Sequence, residues 1–89
     1  MNKFTFITEF QKGTYIQQVS AIDLESSIKE WVDIIDQFNI PGIGGVEKSK
    51  IKKELLYEKP TKIKGVENVW CLFFKLRKSS VLVNIVGTL

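Results

Sequence analysis

The side chains that most enzymes use for acid-base and nucleophilic chemistry are scarce in this chain of 89 residues. There is no histidine, which removes His-based general acid/base catalysis, the Ser-His-Asp and Cys-His pairs, and the commonest transition-metal ligand. The single cysteine, Cys71, lies within the apolar run 69–74, a setting that favours an inert buried thiol over a nucleophile. We therefore predict that the protein is not an enzyme and has no metal or cofactor.

Carboxylates are the remaining candidates for catalysis. Four acidic residues could in principle form carboxylate pairs: Glu9, Glu25, Asp33 and Asp36. The last two share one surface of a predicted helix. The spacing of Asp33 and Asp36 is also that of an exposed acidic stripe on a helix, and we favour a solvated stripe over a catalytic pair.

Three glycines in residues 42–45 invite comparison with a phosphate-binding loop. A P-loop ends in Gly-Lys-Ser/Thr, and a dinucleotide fingerprint needs a strand before the glycines and a helix that starts in them. This segment follows a predicted helix and lacks the full spacing. We interpret it as a flexible connection.

Lysines are concentrated in the second half of the chain. Residues 1–47 carry a net charge of −4, residues 48–89 carry +7, and seven of the thirteen basic residues fall between positions 48 and 64. A solvated lysine face explains this pattern, and the alternative is a patch for phosphate backbones or an acidic partner. The candidate basic patch consists of Lys48, Lys50, Lys52, Lys53, Lys62 and Lys64.

Nucleic-acid binding through residues 48–64 is the alternative function. The sequence offers no set of arginines for base edges, no aromatic RNA-binding motif on a strand and no helix-turn-helix pattern. The predicted helix is acidic on its outer side, which would repel a phosphate backbone. Binding through lysines would weaken steeply with salt, whereas an apolar interface would not.

The elements that position these side chains begin with a hairpin. Residues 3–10 alternate as a half-buried strand, and Gly13 favours a turn. A two-residue loop at Lys12-Gly13 gives the predicted pairs Phe10 with Tyr15, Phe6 with Val19, and Phe4 with Ala21.

A second hairpin is predicted for residues 69–89, where two β-branched and aromatic runs flank a short polar break. A turn at Lys78-Ser79 gives the predicted pairs Leu76 with Val81, Phe74 with Val83, Leu72 with Ile85, and Trp70 with Gly87. This face is apolar throughout. The opposite face is mixed but still more apolar than a solvated surface usually is.

A helix over residues 23–38 is the clearest pattern in the chain, with Asp23 as its N-cap. Its predicted inward residues are Leu24, Ile28, Trp31, Val32, Ile35 and Phe38. We interpret Trp31 as a packing residue rather than a stacking platform for a ligand. Residues 47–57 fit either a short helix, with Ile51, Leu55 and Leu56 inward, or a loop.

The predicted fold is α+β, in the order β-β-α-β-β, with an antiparallel-rich four-stranded sheet and one amphipathic helix on one face. The strand order stays open. The second face of this sheet would present Ile7, Ile16, Phe73, Leu82 and Val86, the candidate interface. Either residues 40–65 cover this face, or a second copy or a different protein does.

Length and composition indicate a single domain, residues 1–89, with 44% hydrophobic and 26% charged residues. The N-terminus has no continuous apolar segment for a signal peptide, and no run is long enough to cross a bilayer. A single cysteine excludes an intramolecular disulfide and fits a reducing compartment. We expect a cytoplasmic protein.

Three short segments and one tryptophan resemble small bacterial proteins of an uncharacterised family: Gly13-Thr14-Tyr15-Ile16, Asn68-Val69-Trp70-Cys71, Val83-Asn84-Ile85-Val86, and Trp31. A hairpin followed by one amphipathic helix is also similar in arrangement to HicB-type antitoxins and to small immunity proteins. The chain lacks the C-terminal DNA-binding element that such antitoxins often add. The uncharacterised family implies no activity. From the apolar second face of the sheet we predict a small non-enzymatic binding module that acts through protein contacts, as a homodimer or as a toxin-neutralising or immunity-like partner.

Overall fold

An antiparallel five-stranded sheet with two α-helices on one side makes up the part of the chain that the structure describes. The structure is a computed structural model, and it describes residues 1–88. The strands are β1 (Asn2–Phe10), β2 (Gly13–Ala21), β3 (Thr61–Lys62), β4 (Val69–Leu76) and β5 (Ser79–Thr88). The helices are α1 (Leu24–Asp33) and α2 (Gly45–Glu54). Leu89, which the predicted last strand includes, lies outside the described residues.

The strand order is β2-β1-β5-β4-β3, so the two predicted hairpins join through antiparallel pairing of β1 with β5. The α+β class is confirmed, but the prediction of four strands and one helix is wrong. The fifth strand, β3, has only two residues, too few to show a period of two. The second helix, α2, has one fully buried apolar side chain, Ile51, so its sequence shows almost no amphipathic period.

The first hairpin turns at Gln11-Lys12, one position earlier than predicted. Both residues have positive φ, 49° and 68°, as a type I′ turn requires. Phe4 consequently pairs with Val19 rather than with Ala21.

The second hairpin turns at Arg77-Lys78, where Arg77 has a φ of 60°. Phe74 pairs with Val81 rather than with Val83. In both hairpins the predicted register is wrong by two residues. Because side chains alternate with a period of two, every side chain nevertheless lies on its predicted face.

One face of the sheet carries the core. Phe6 is fully buried and its ring stacks on Trp31 of α1, with centroids 5.0 Å apart and planes 6° from parallel. The indole Nε1 of Trp31 donates a hydrogen bond to Gln17 Oε1 on β2, at 3.3 Å. These contacts fix α1 over the N-terminal hairpin and agree with the packing role predicted for Trp31.

The predicted helix 23–38 is shorter than expected. Asp23 is its N-cap, with Oδ1 accepting a hydrogen bond from the Ser26 amide at 2.8 Å. The α-helix ends at Asp33, and a single 3₁₀ turn, Ile35–Gln37, follows.

Residues 40–65 pack on the same side of the sheet as α1. Ile40, Ile43 and Ile51 all belong to the core cluster. Leu55 is half-buried against it, whereas Leu56, also predicted to point inward, is exposed. The possibility that this segment covers the second face of the sheet is therefore wrong.

Candidate functional site

The sheet surface opposite the helices is the open face, and all five candidate interface residues lie on it. The strand registers place them as neighbours. Ile16 on β2 pairs with Ile7 on β1, and Leu82 on β5 pairs with Phe73 on β4. The fifth residue, Val86, lies two residues after Asn84 on β5 and on the same face. Asn84 in turn pairs with Ile7. An apolar patch thus extends over four strands, but Asn84, Glu9 and Thr5 interrupt it where β1 meets β5.

Exposure differs across this patch. Ile16 is 66% exposed and Phe73 is 52% exposed, whereas Ile7, Leu82 and Val86 are half-buried by their neighbours on the sheet. Phe73 and Phe74 are adjacent in sequence, yet Phe74 on the core face is 2% exposed. The open face therefore keeps large apolar side chains in contact with solvent.

Polar side chains interrupt and border the apolar patch. Gln18 Nε2 donates a hydrogen bond to Thr5 Oγ1 at 2.9 Å, and this pair closes one side of the patch. Glu9 and Lys75 lie exposed at the opposite side. Asn84 lies in the middle and is half-buried. An apolar centre with a polar border is the composition of many protein interfaces.

Cys71 also lies on the open face, where the register pairs it with Asn84. Its thiol is half-buried, which is more accessible than the buried position that the sequence favoured. Within residues 1–88, no group of three or more histidine, cysteine or acidic side chains could hold a metal ion.

The candidate basic patch is partly neutralised by the fold. Lys48 Nζ lies 3.6 Å from Asp36 Oδ1, and Lys52 Nζ lies 3.0 Å from Asp33 Oδ1. The acidic stripe of the first helix and the lysines of α2 therefore face each other. The remaining four lysines of the patch are exposed: Lys50, Lys53, Lys62 and Lys64.

Glu47 connects α2 to the sheet. Its Oε1 accepts a hydrogen bond from the Gly44 amide at 2.9 Å, and its Oε2 pairs with the Arg77 guanidinium in the β4–β5 turn. These partners, first of all the Gly44 amide, hold the pKa of Glu47 below its usual range. The glycine-rich segment thus ends in a helix N-terminus that this carboxylate already occupies, which agrees with our rejection of a phosphate loop.

A groove of about 800 Å³ lies between α1 and the chain that follows α2, and the sequence analysis did not predict it. Its apolar walls include Ile28, Val32, Leu55 and Leu72. Charged side chains of both signs stand around it, including the paired Asp33 and Lys52. The groove depends on how α2 docks, for which the sequence contains no clear signal.

Comparison with family models, with curated proteins and with solved structures gave no match to this chain. No helix in the described part of the chain is long and apolar enough to cross a membrane.

Proposed function

We propose that this protein is a small non-enzymatic binding module that holds a protein partner on the open face of its sheet. The observation that carries the proposal is the pair of exposed side chains Ile16 and Phe73 within the apolar patch of the open face. Covering such a patch removes apolar surface from water and is favourable. A protein partner can match the shape of this apolar patch, and its polar groups can hydrogen-bond with the polar side chains at the border of the patch.

Two kinds of partner fit this role. A second copy of the chain would bury both patches against each other, as in a homodimer. A different protein, such as a toxin that the module neutralises, would use the same side chains against a complementary surface. Both kinds predict that a charge in place of the exposed Phe73 abolishes binding without affecting the fold.

Nucleic-acid binding has weaker support. Two lysines of the candidate basic patch, Lys48 and Lys52, are paired with carboxylates of the first half of the chain. A phosphate backbone at this surface would meet Asp33 and Asp36 as well as the lysines.

The test compares two variants that each add one carboxylate. Phe73→Asp changes the open face, and Val46→Asp changes an exposed apolar residue, 64% accessible, on α2. Tagged wild-type protein and both variants are purified from the cells that make the protein, and bound proteins are quantified by mass spectrometry. Sedimentation of each purified protein measures self-association.

We expect wild type and Val46→Asp to retain the same protein partner and Phe73→Asp to lose it. If the partner is a second copy bound through the open face, Phe73→Asp should lose that association and Val46→Asp should keep it. Circular dichroism should show all three folded alike, because Phe73 is not in the core. The proposal fails if Phe73→Asp binds as wild type does, or if wild type is a monomer and retains no protein.

A further inference from the structure

The outer edge of β2 is unusual because nothing along it opposes pairing with another strand. β2 has nine residues and hydrogen-bonds only to β1 within residues 1–88. Its sequence, Gly-Thr-Tyr-Ile-Gln-Gln-Val-Ser-Ala, contains no charged residue and no proline. Charges, prolines and bulges are the devices by which proteins block the free edges of sheets.

The other edge of the sheet has these devices. β3 is two residues long, follows Pro60 and includes Lys62. β3 pairs with only two residues of β4, and the rest of the β4 edge, residues 72–76, contains one charged residue, Lys75. One edge is therefore protected and the other is not, although both belong to the same sheet.

The turn geometry shows which backbone groups of β2 point outward. Because a two-residue turn joins the strands, Phe10 and Gly13 form a hydrogen-bonded pair. Alternation along the strand then directs the amides and carbonyls of four residues away from β1. These four residues are Thr14, Ile16, Gln18 and Ser20, and their side chains are all exposed.

We propose that β2 pairs with β2 of a second copy of this chain, antiparallel and around a two-fold axis, to give a continuous ten-stranded sheet. An axis at Gln17, the midpoint of the strand, aligns all nine residues. It places Thr14 of one copy opposite Ser20 of the other, and Ile16 opposite Gln18. All four outward residues of each copy then exchange backbone hydrogen bonds, about eight in total.

A second copy suits this edge better than a strand of another protein for two reasons. The strand has no charges, so two identical strands meet without repulsion. Two-fold pairing also covers the β2 edges of both copies at once. The edges that remain exposed in the dimer are then the two formed by β3 and β4. The assembly therefore closes as a dimer instead of growing.

The edge dimer and the proposed function are separable. The dimer uses the backbone of β2, whereas partner binding uses side chains of the open face around Phe73. A two-fold axis perpendicular to the sheet places the open faces of both copies on one side. The dimer would then present two partner sites next to each other.

The test uses charge pairs at the positions that the register brings together. Thr14→Lys with Ser20→Lys places lysine opposite lysine twice, and Thr14→Glu with Ser20→Glu does the same with carboxylates. Sedimentation over a concentration series is measured for wild type, each double variant and an equal mixture. The wild type is also followed by amide hydrogen exchange at low and high concentration.

We expect wild type to dimerise and each double variant to dissociate at least about tenfold more readily, with the mixture recovering a dimer. Amides of Thr14, Ile16, Gln18 and Ser20 should gain protection as concentration rises. Phe73→Asp should leave this dimer intact. A wild type that stays monomeric, a mixture that does not associate, or a dimer lost in Phe73→Asp but kept in the lysine variant would overturn the proposal.

Discussion

The two faces of the sheet are made from the same strands but meet different surroundings. On the core face, Phe4, Phe6 and Phe74 are at most 4% exposed beneath the helices. On the open face, Phe73 and Ile16 remain more than half exposed. The strands therefore carry apolar side chains on both sides, although the chain supplies a cover for only one.

This difference separates stability from binding. Residues of the core face hold the fold together, because their removal leaves a cavity under α1 or α2. Residues of the open face contribute little to the stability of a monomer, because they stay in contact with solvent, and the proposed partner would cover them. Substitutions at matched positions on the two faces should therefore have effects of very different size.

The largest contrast is expected for two adjacent phenylalanines of β4. Phe74→Ala should lower the free energy of unfolding by about 3–5 kcal/mol, because the side chain is 2% exposed in the core. Phe73→Ala should lower it by less than about 1 kcal/mol, because that side chain is 52% exposed. Urea denaturation of both variants measures the difference. Equal losses would show that the open face is covered within the monomer.

This contrast could be predicted from the sequence even though both hairpin registers were wrong. Each predicted register differs from the structure by two residues, which preserves the side on which every side chain lies. The sequence therefore predicts the correct faces for Phe73 and Phe74. Turn position was harder to predict because Gln11, Lys12 and Arg77 adopt positive φ without being glycine or asparagine.

The course of residues 40–65 could not be predicted, because long-range contacts determine it. Ile51 is the single apolar side chain that anchors α2 in the core, and one residue defines no period. Glu47 and Arg77, which tie α2 to the sheet, are 30 residues apart in the chain. The unprotected edge of β2 likewise became apparent only from the strand order.

A smaller effect is expected at Glu47, which helps to keep α2 over the core face. Glu47→Gln retains an oxygen for the Gly44 amide but loses the ion pair with Arg77. We expect it to lower stability at neutral pH. Glu67→Gln, at an exposed position, is the control and should leave stability unchanged.

The stability difference between wild type and Glu47→Gln should depend on pH if the Glu47 carboxylate causes it. The pKa of Glu47 is lowered in the folded protein from an ordinary value of 4.5. The contribution of the Glu47 carboxylate to the free energy of unfolding is therefore complete above its ordinary pKa, and it is lost as pH falls through the pKa of the folded protein. Thermal unfolding of wild type and Glu47→Gln over a pH series should converge at acidic pH. A gap that stays constant down to pH values well below 4.5 would assign the effect to packing instead.

A gain in stability, rather than a loss, is expected at Thr8, a polar interruption in the core face of β1. Thr8 is fully buried, and its Oγ1 has no hydrogen-bond partner in residues 1–88. Thr8→Val replaces this hydroxyl with a methyl group of similar size, so it should raise the free energy of unfolding by about 1–2 kcal/mol.

Thr5→Val is the matched control for this prediction, because Thr5 lies on the open face of the same strand and its Oγ1 accepts the hydrogen bond from Gln18. This variant should gain no stability, since it removes a satisfied and partly solvated hydroxyl. Urea denaturation of both variants therefore compares the same chemical change on the two faces of one strand. If Thr8→Val instead destabilised the protein, the buried hydroxyl would have a partner in solution, and the core face would be less dry than its packing indicates.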